Sequence, residues 1–260
     1  MPRPDPPPRR SKPRPSTVAG PAFQGFAPEG LAFLADLADH NDRDWFKAHQ
    51  DVYEREVKRP MQALVRSVAT RLEGDGLNLT GSPKTSIFRI HRDTRFTNDK
   101  TPYKPWAACY FSATGSKKED GGLYVHVQPG GCRLSCGIYH PEPAALGALR
   151  RAMAADAEAF LALVDALAAA GLPPVSDETL KTMPRGFQDH ADGPLAAYLK
   201  GKSLYVTRRV SEIAFLTPEA VDEIAGFAAQ AAPLLGFVHR ALGAPGWRAD
   251  ARNPPGGRPM

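Results

Sequence analysis

Residues 123–138 read LYVHVQPGGCRLSCGI, and this stretch decides the fold class. Apolar and polar side chains alternate on both sides of a Gln-Pro-Gly-Gly sequence. A period of two predicts β-strands that each bury one face, and Pro-Gly-Gly predicts a tight turn between them. One face then carries Leu123, Val125, Val127, Leu134, Cys136 and Ile138, and the other carries Tyr124, His126, Arg133, Ser135 and Tyr139.

Further strands are predicted on both sides of this hairpin. Phe88 and Ile90 alternate with Arg89 and His91, and residues 106–112 form another candidate strand. Residues 203–207 add a short one, which gives an antiparallel sheet of about four to five strands over residues 84–140 and 203–207.

Helical spacing flanks the sheet region. Apolar residues recur at helical intervals over 28–40, 44–49, 51–73, 143–171 and 217–242. Pro60 and Pro233 lie inside two of these patterns and predict a kink or a bend. Since helices precede and follow the strands without alternating with them, we predict one α+β domain over residues 21–247.

The basic charge of the chain is concentrated at its ends. The formal net charge is +5, of which the first sixteen residues carry +4 and the last thirteen carry +2, so residues 17–247 carry −1. Both ends are also rich in proline. We predict that residues 1–20 and 248–260 are disordered tails, because they hold too little apolar surface to offset the entropy of ordering. A solubilising extension is favoured over an arm that binds phosphate backbones.

Compartment and cofactor signals are sparse. The N-terminus has no apolar signal region and no apolar run reaches membrane length, so we expect a cytoplasmic protein without membrane contact. Cys132 and Cys136 share one strand face, but no second ligand pair accompanies them, and Cys109 is best explained as a core residue, so no metal site is predicted. Residues 199–203 end like a phosphate-binding loop, yet Ala196 occupies the first glycine position, so no cofactor is predicted either.

The densest polar segment is FRIHRDTRFTNDKTPYKPW, residues 88–106. Its five permanent cations outnumber its two carboxylates, Asp93 and Asp99. Guanidinium and ammonium groups in such a cluster can grip a phosphate or a carboxylate. The alternative is an internal network in which the two aspartates pair with two arginines. The predicted anion-binding residues are Arg89, Arg92, Arg95, Lys100 and Lys104.

The function that follows is the binding or processing of a small anionic ligand. Asp93, Tyr103 and His126 are the candidates for proton transfer, but no nucleophile motif accompanies them, so whether the chain is an enzyme stays open. If the strands pair as predicted, the face away from the core holds Arg89, His91, Tyr124, His126, Arg133 and Tyr139. Two alternatives remain: a nucleic-acid-associated module in which Tyr124 and Tyr139 stack on bases, and a non-catalytic structural or interaction domain with an unidentified protein partner.

Several motifs together resemble one known family. They are FAPEGLAFLADLADHNDRDWFKAHQDVYEREVKRP at 26–60, FRIHRDTRFTNDKTPYK at 88–104, GIYHPEP at 137–143 and LKTMPRGFQDH at 180–190. The chain resembles, over residues 23–242, the bacterial and fungal family called domain of unknown function 2461. This resemblance implies kinship and no activity. The residues that match the central motif of the family are Arg89, Arg92, Asp93, Arg95, Phe96, Asp99, Lys100, Pro102, Tyr103 and Lys104. Ser135 and Cys136 stand where the family usually has glycines.

Overall fold

A computed structural model describes residues 20–95 and 98–243. Except for Gly20, the two predicted tails lie outside these ranges. Phe96 of the central motif and residues 244–247 of the predicted domain also lie outside them.

Four antiparallel strands form one open sheet, β1 (Ala107–Ser112), β2 (Gly122–Val127), β3 (Arg133–Ile138) and β4 (Leu204–Arg209). Their order in the sheet is β1-β2-β3-β4. The register places Val125 opposite Leu134 and Cys136 opposite Val206, so apolar side chains line one face. The α+β class and the strand number are thus confirmed.

The α-helices are α1 (Pro28–Asp39), α2 (Arg43–Ala48), α3 (Gln50–Val52), α4 (Arg59–Gly74), α5 (Pro83–Ser86), α6 (Pro143–Ala155), α7 (Ala157–Ala169), α8 (Ala196–Lys200) and α9 (Ala220–Ala241). A π-helical segment, Tyr53–Lys58, joins α3 to α4. The helical stretch predicted over 51–73, which Pro60 was expected to kink or split, is thus divided just before that proline by a widened turn, in which the Arg59 N–H donates to the carbonyl of Glu54, five residues back.

Two helices differ from the prediction. The continuous helix expected over 143–171 is broken at Asp156, whose carboxylate accepts the backbone N–H of Ala159 and caps α7. The last helix begins at Ala220 rather than at Thr217, because residues 217–219 form a turn in which the Thr217 carbonyl accepts the Ala220 N–H.

The buried residues fall into two clusters. The main core lies between one face of the sheet and α4, α6, α7 and α9. A smaller cluster gathers α1, α2, Val57, Ile90 and Tyr103. The second cluster holds part of the cation-rich segment in place, through Ile90 and Tyr103.

Helix α9 is long and apolar enough to cross a membrane by length and composition, a feature that the sequence analysis overlooked. In the fold this helix packs against β3 and α4, and half of its most apolar window is buried. Its apolarity is accounted for by its place in the main core.

Candidate functional site

The cation-rich segment folds into a stem and a turn. The stem comprises residues 87–91 and 102–104, where the Lys104 N–H donates to the Ile90 carbonyl at 2.9 Å. At the junction with the turn, the Arg92 N–H donates to the Pro102 carbonyl at 2.8 Å. The turn comprises residues 92–101. The strand predicted over 88–91 is not present, since only isolated bridges form there. Pro102 lacks the N–H group that would donate back to Arg92 in a continuous ladder, and the Phe88 N–H donates instead to the Ala108 carbonyl.

The turn uses its cations internally. Arg95 binds Asp93 through two hydrogen bonds of 2.9 and 2.7 Å, and Arg92 pairs with Asp99. The Lys100 ammonium donates to the Thr94 carbonyl at 2.9 Å. The hydrogen bonds from Arg95 hold the pKa of the Asp93 carboxyl well below its usual range. Three of the predicted anion-binding residues, Arg92, Arg95 and Lys100, therefore have partners within the turn.

The stem gathers cations around the ring of Phe88. The Lys104 ammonium lies 5.8 Å from the ring centroid and donates to the Arg89 carbonyl at 3.1 Å. The Lys117 ammonium lies 5.5 Å from the same centroid and donates to the Ile87 carbonyl. Lys117 comes from the loop between β1 and β2, and sequence analysis missed it.

Like charges crowd this stem. Burial lowers the pKa of Lys104, and Arg89, Arg92 and Lys117 lower it further. Within the described ranges, no salt bridge joins a carboxylate to Arg89, Lys104 or Lys117.

A groove of about 620 Å³ lies between the stem and the helical stretch 50–62, and we call it the stem groove. Glu54, the carboxylate in its lining, is held by Lys58 at 2.7 Å. Burial, and to a smaller degree Glu54, raises the pKa of Tyr53 to about 12. Its hydroxyl therefore keeps its proton at neutral pH and can donate a hydrogen bond. The polar lining consists of Gln50, Tyr53, Glu54, Lys58, Gln62, Arg89, His91, Lys104 and Lys117.

A second, wider groove of about 920 Å³ lies beside α2 and the turn. Its lining includes two cations, Arg43 and Lys100, and two carboxylates, Asp42 and Asp44, so its formal charges balance. The stem groove is the more cationic of the two.

The three candidate proton-transfer residues do not converge. Asp93 lies in the turn, and Tyr103 is 6% exposed and stacks on Phe46 at 4.1 Å. His126 is 4% exposed and lies on the sheet face away from the main core. Among the described residues, no hydrogen bond or ring contact links these three side chains to one another.

His126 belongs to a hydrogen-bonded chain under the stem. Its Nε2 lies 2.9 Å from the side-chain amide oxygen Oε1 of Gln128, and its Nδ1 lies 3.1 Å from the Tyr124 hydroxyl. Since the amide oxygen only accepts, Nε2 carries the hydrogen and Tyr124 donates to Nδ1. Burial lowers the pKa of His126, which keeps the ring neutral at pH 7. Trp106 stacks on this imidazole at 5.5 Å, and Phe88 packs edge-on against Tyr124 at 5.8 Å.

The predicted six-residue face is correct in part. The register places Tyr124 opposite Ser135 and His126 opposite Arg133, so these residues share the outer face of the sheet. The prediction for Arg89 and His91 was wrong, because the stem leaves the sheet after Phe88. His91 instead contacts Phe46 at 6.2 Å and Tyr103 at 5.2 Å between ring centroids.

The GIYHPEP element adopts a constrained backbone. Gly137 has φ +137°, and a Cβ there would lie 2.4 Å from the Leu204 carbonyl oxygen, so a side chain does not fit. Ser135, at a position where the family usually has glycine, hydrogen-bonds Thr207 at 2.9 Å across the strands.

A cluster of ionisable side chains that the sequence did not predict lies at the end of β3. His140 Nε2 lies 2.8 Å from Asp177 and 4.0 Å from Glu178, and Lys202 binds Glu178 at 2.7 Å. Burial raises the pKa of Asp177, but hydrogen bonds from His140, Tyr139 and Ser203 outweigh it and bring that pKa to about 2. The hydrogen bond between His140 and Asp177 and the ion pair between Lys202 and Glu178 tie residues 177–178 to the end of β3.

Comparison with known proteins finds one match. A family model described as a conserved hypothetical protein (DUF2461) matches residues 29–237. No match is found among curated proteins or among solved structures.

Proposed function

The chain therefore belongs to the DUF2461 family, and we propose that it binds a small anionic ligand, bearing a phosphate or a carboxylate, in the stem groove. The observation that supports this proposal is the gathering of Arg89, Lys104 and Lys117 around one groove without a carboxylate salt-bridged to any of them among the described residues. Gathering like charges costs free energy, which an anion between them offsets.

The donors suit an oxyanion. A guanidinium group can form two parallel hydrogen bonds to such a group, and the two ammonium groups add point charges. The ammonium groups of Lys104 and Lys117 each donate one of their three hydrogens to a backbone carbonyl. This bond fixes the position of the ammonium group and leaves its other hydrogens for a ligand. In this proposal Arg92, Arg95 and Lys100 stabilise the turn and do not bind the ligand. Of the five anion-binding residues predicted from the sequence, Arg89 and Lys104 remain, and Lys117 is added.

We propose that this binding takes place in the cytoplasm, and we assign no chemical reaction to the site. Cys109, Cys132 and Cys136 are free thiols, and a reducing compartment keeps thiols in that state.

The test is thermal unfolding of the full chain with orthophosphate, pyrophosphate, a hexose phosphate, succinate and citrate. A ligand at 100 times its dissociation constant adds about 2.7 kcal/mol of stability. We expect at least one of these anions to raise the melting temperature, and Lys104→Gln/Lys117→Gln to abolish the rise.

The matched control is Lys100→Gln/Lys181→Gln, which removes the same charge from two exposed positions outside the stem groove. This variant should keep the rise. A flat panel, or a rise that survives in Lys104→Gln/Lys117→Gln, would refute the proposal and favour a structural role for the stem.

A further inference from the structure

The outer face of the sheet has a covered half and an open half. Phe88 and Trp106 lie over Tyr124 and His126 on β2, which covers the first half. The second half, on β3 and β4, remains open, and Tyr139 at its end is 65% exposed. We define the open half by Arg133, Ser135, Tyr205, Thr207 and Arg209, which share this face by strand alternation, and by Tyr139, which follows β3 and packs against Tyr205.

Two arginines lie directly opposite each other at one end of the open half. Arg133 on β3 pairs with Arg209 on β4, and both side chains are exposed. Like charges in direct cross-strand positions destabilise a sheet. No hydrogen bond or salt bridge to either guanidinium is found within residues 20–95 and 98–243. An anion held between them would offset this repulsion.

Tyrosine rings lie at the other end. Tyr139 packs edge-on against Tyr205 with 5.8 Å between centroids. From Arg209 to Tyr205 the strand runs four residues, or about 13 Å at 3.3 Å per residue. Asp177 is bound by His140 beside this end, and its negative charge disfavours phosphate here. Ser135 and Thr207, hydrogen-bonded to each other, lie between the two ends.

We propose that the open half binds single-stranded nucleic acid, with phosphates held by Arg133 and Arg209 and bases stacked on Tyr139 and Tyr205. The arginines supply the charge that a phosphate backbone requires, and the exposed ring of Tyr139 with the half-buried ring of Tyr205 supplies the stacking surface that unpaired bases require. An acidic peptide would satisfy the arginines but would leave the tyrosines unused. This site is separate from the stem groove, so either proposal can fail without the other.

The test is fluorescence anisotropy of the full chain with labelled twelve-nucleotide oligo(dT) and oligo(U) at several salt concentrations. Arg133→Gln/Arg209→Gln should weaken binding at least tenfold. Each phosphate contact on a single strand contributes about 0.7 to the slope of log K against log salt, so losing two contacts should reduce that slope by about 1.4. Tyr139→Ala should weaken binding by about tenfold without changing the slope.

The control Arg151→Gln/Arg185→Gln removes the same charge from exposed positions outside the sheet and should leave both values unchanged. Three results would overturn the proposal. They are absence of binding at 50 mM salt, equal effects of the two arginine pairs, and binding of a duplex as tight as that of the single strand. Displacement of the oligonucleotide by polyglutamate, with an affinity that depends on the arginines and not on Tyr139, would instead identify an acidic protein partner.

Discussion

The stem and the turn of residues 87–104 are built from the same residue types, yet their charges are arranged in opposite ways. In the turn, each arginine has an aspartate nearby in the sequence, and Arg95 binds Asp93 two residues before it. In the stem, Arg89 and Lys104 meet Lys117, another cation. An excess of positive charge in a segment therefore does not by itself predict an anion-binding site. The partner of each charged side chain must also be known.

The two regions also differ in how they are anchored. Ile90 and Tyr103 of the stem are buried in the second cluster beside Phe46. The side chain of Arg95 in the turn is 74% exposed. A binding site needs side chains fixed by packing, and the stem meets this condition better than the turn.

The largest effect is expected from removing the anchor of the stem. Ile90→Ala deletes a buried side chain, and such a change costs about 2–5 kcal/mol of unfolding free energy. Urea denaturation measures the loss, and Ile213→Ala, at a 68% exposed position, serves as a control that should change little. A loss below about 1 kcal/mol for Ile90→Ala would show that the stem is not anchored as described.

A smaller loss is expected for Arg92→Ala, where the turn meets the covered half of the sheet. The Arg92 guanidinium lies 5.5 Å from the Trp106 ring centroid, and its ion pair with Asp99 is partly exposed. Contacts of these two kinds together contribute about 1 kcal/mol. Arg92→Lys should recover part of the loss. If Arg92→Ala lost as much unfolding free energy as Ile90→Ala, the turn would contribute as much to stability as the stem.

Lys104→Gln should change the pH dependence of stability more than stability itself. Because the pKa of Lys104 is lowered from 10.5 in the folded state, the unfolded chain binds its proton more tightly. The stability of the wild type should therefore rise relative to Lys104→Gln as the pH increases from 7 through the lowered pKa toward 10.5. Paired denaturation curves measure this difference. A difference that stays constant, or that falls with pH, would contradict the crowding of charge in the stem.

The smallest effect is expected for Asp93→Asn. Its pKa is lowered by the hydrogen bonds from Arg95, so any stabilisation is present at neutral pH and is lost as the pH falls through that lowered value. Both side chains are exposed and screened by solvent, so the unfolding midpoint at pH 7 should not change measurably. A clear drop that 1 M NaCl abolishes would show that the turn is held together by this pair.

Local pattern was sufficient for much of the fold. The alternation around Pro129 and Gly130 predicted β2 and β3, and their pairing is antiparallel as expected. The start of α1 at Pro28 was predicted from its proline and its early acidic residue. The strand predicted over 88–91 was wrong, because period-two alternation does not report whether the partner segment can donate hydrogen bonds, and here Pro102 cannot.

The amino-acid sequence by itself determined the α+β class, the hairpin and the family, because each of these is carried by local patterns and motifs along the chain. Only the tertiary structure decided that Lys117 joins Lys104 around Phe88, and that Arg133 lies opposite Arg209. Both arrangements depend on strand register and loop placement, which bring together side chains from distant parts of the chain. The two proposed binding surfaces therefore follow from the fold, because like charges become neighbours only when the sheet is assembled.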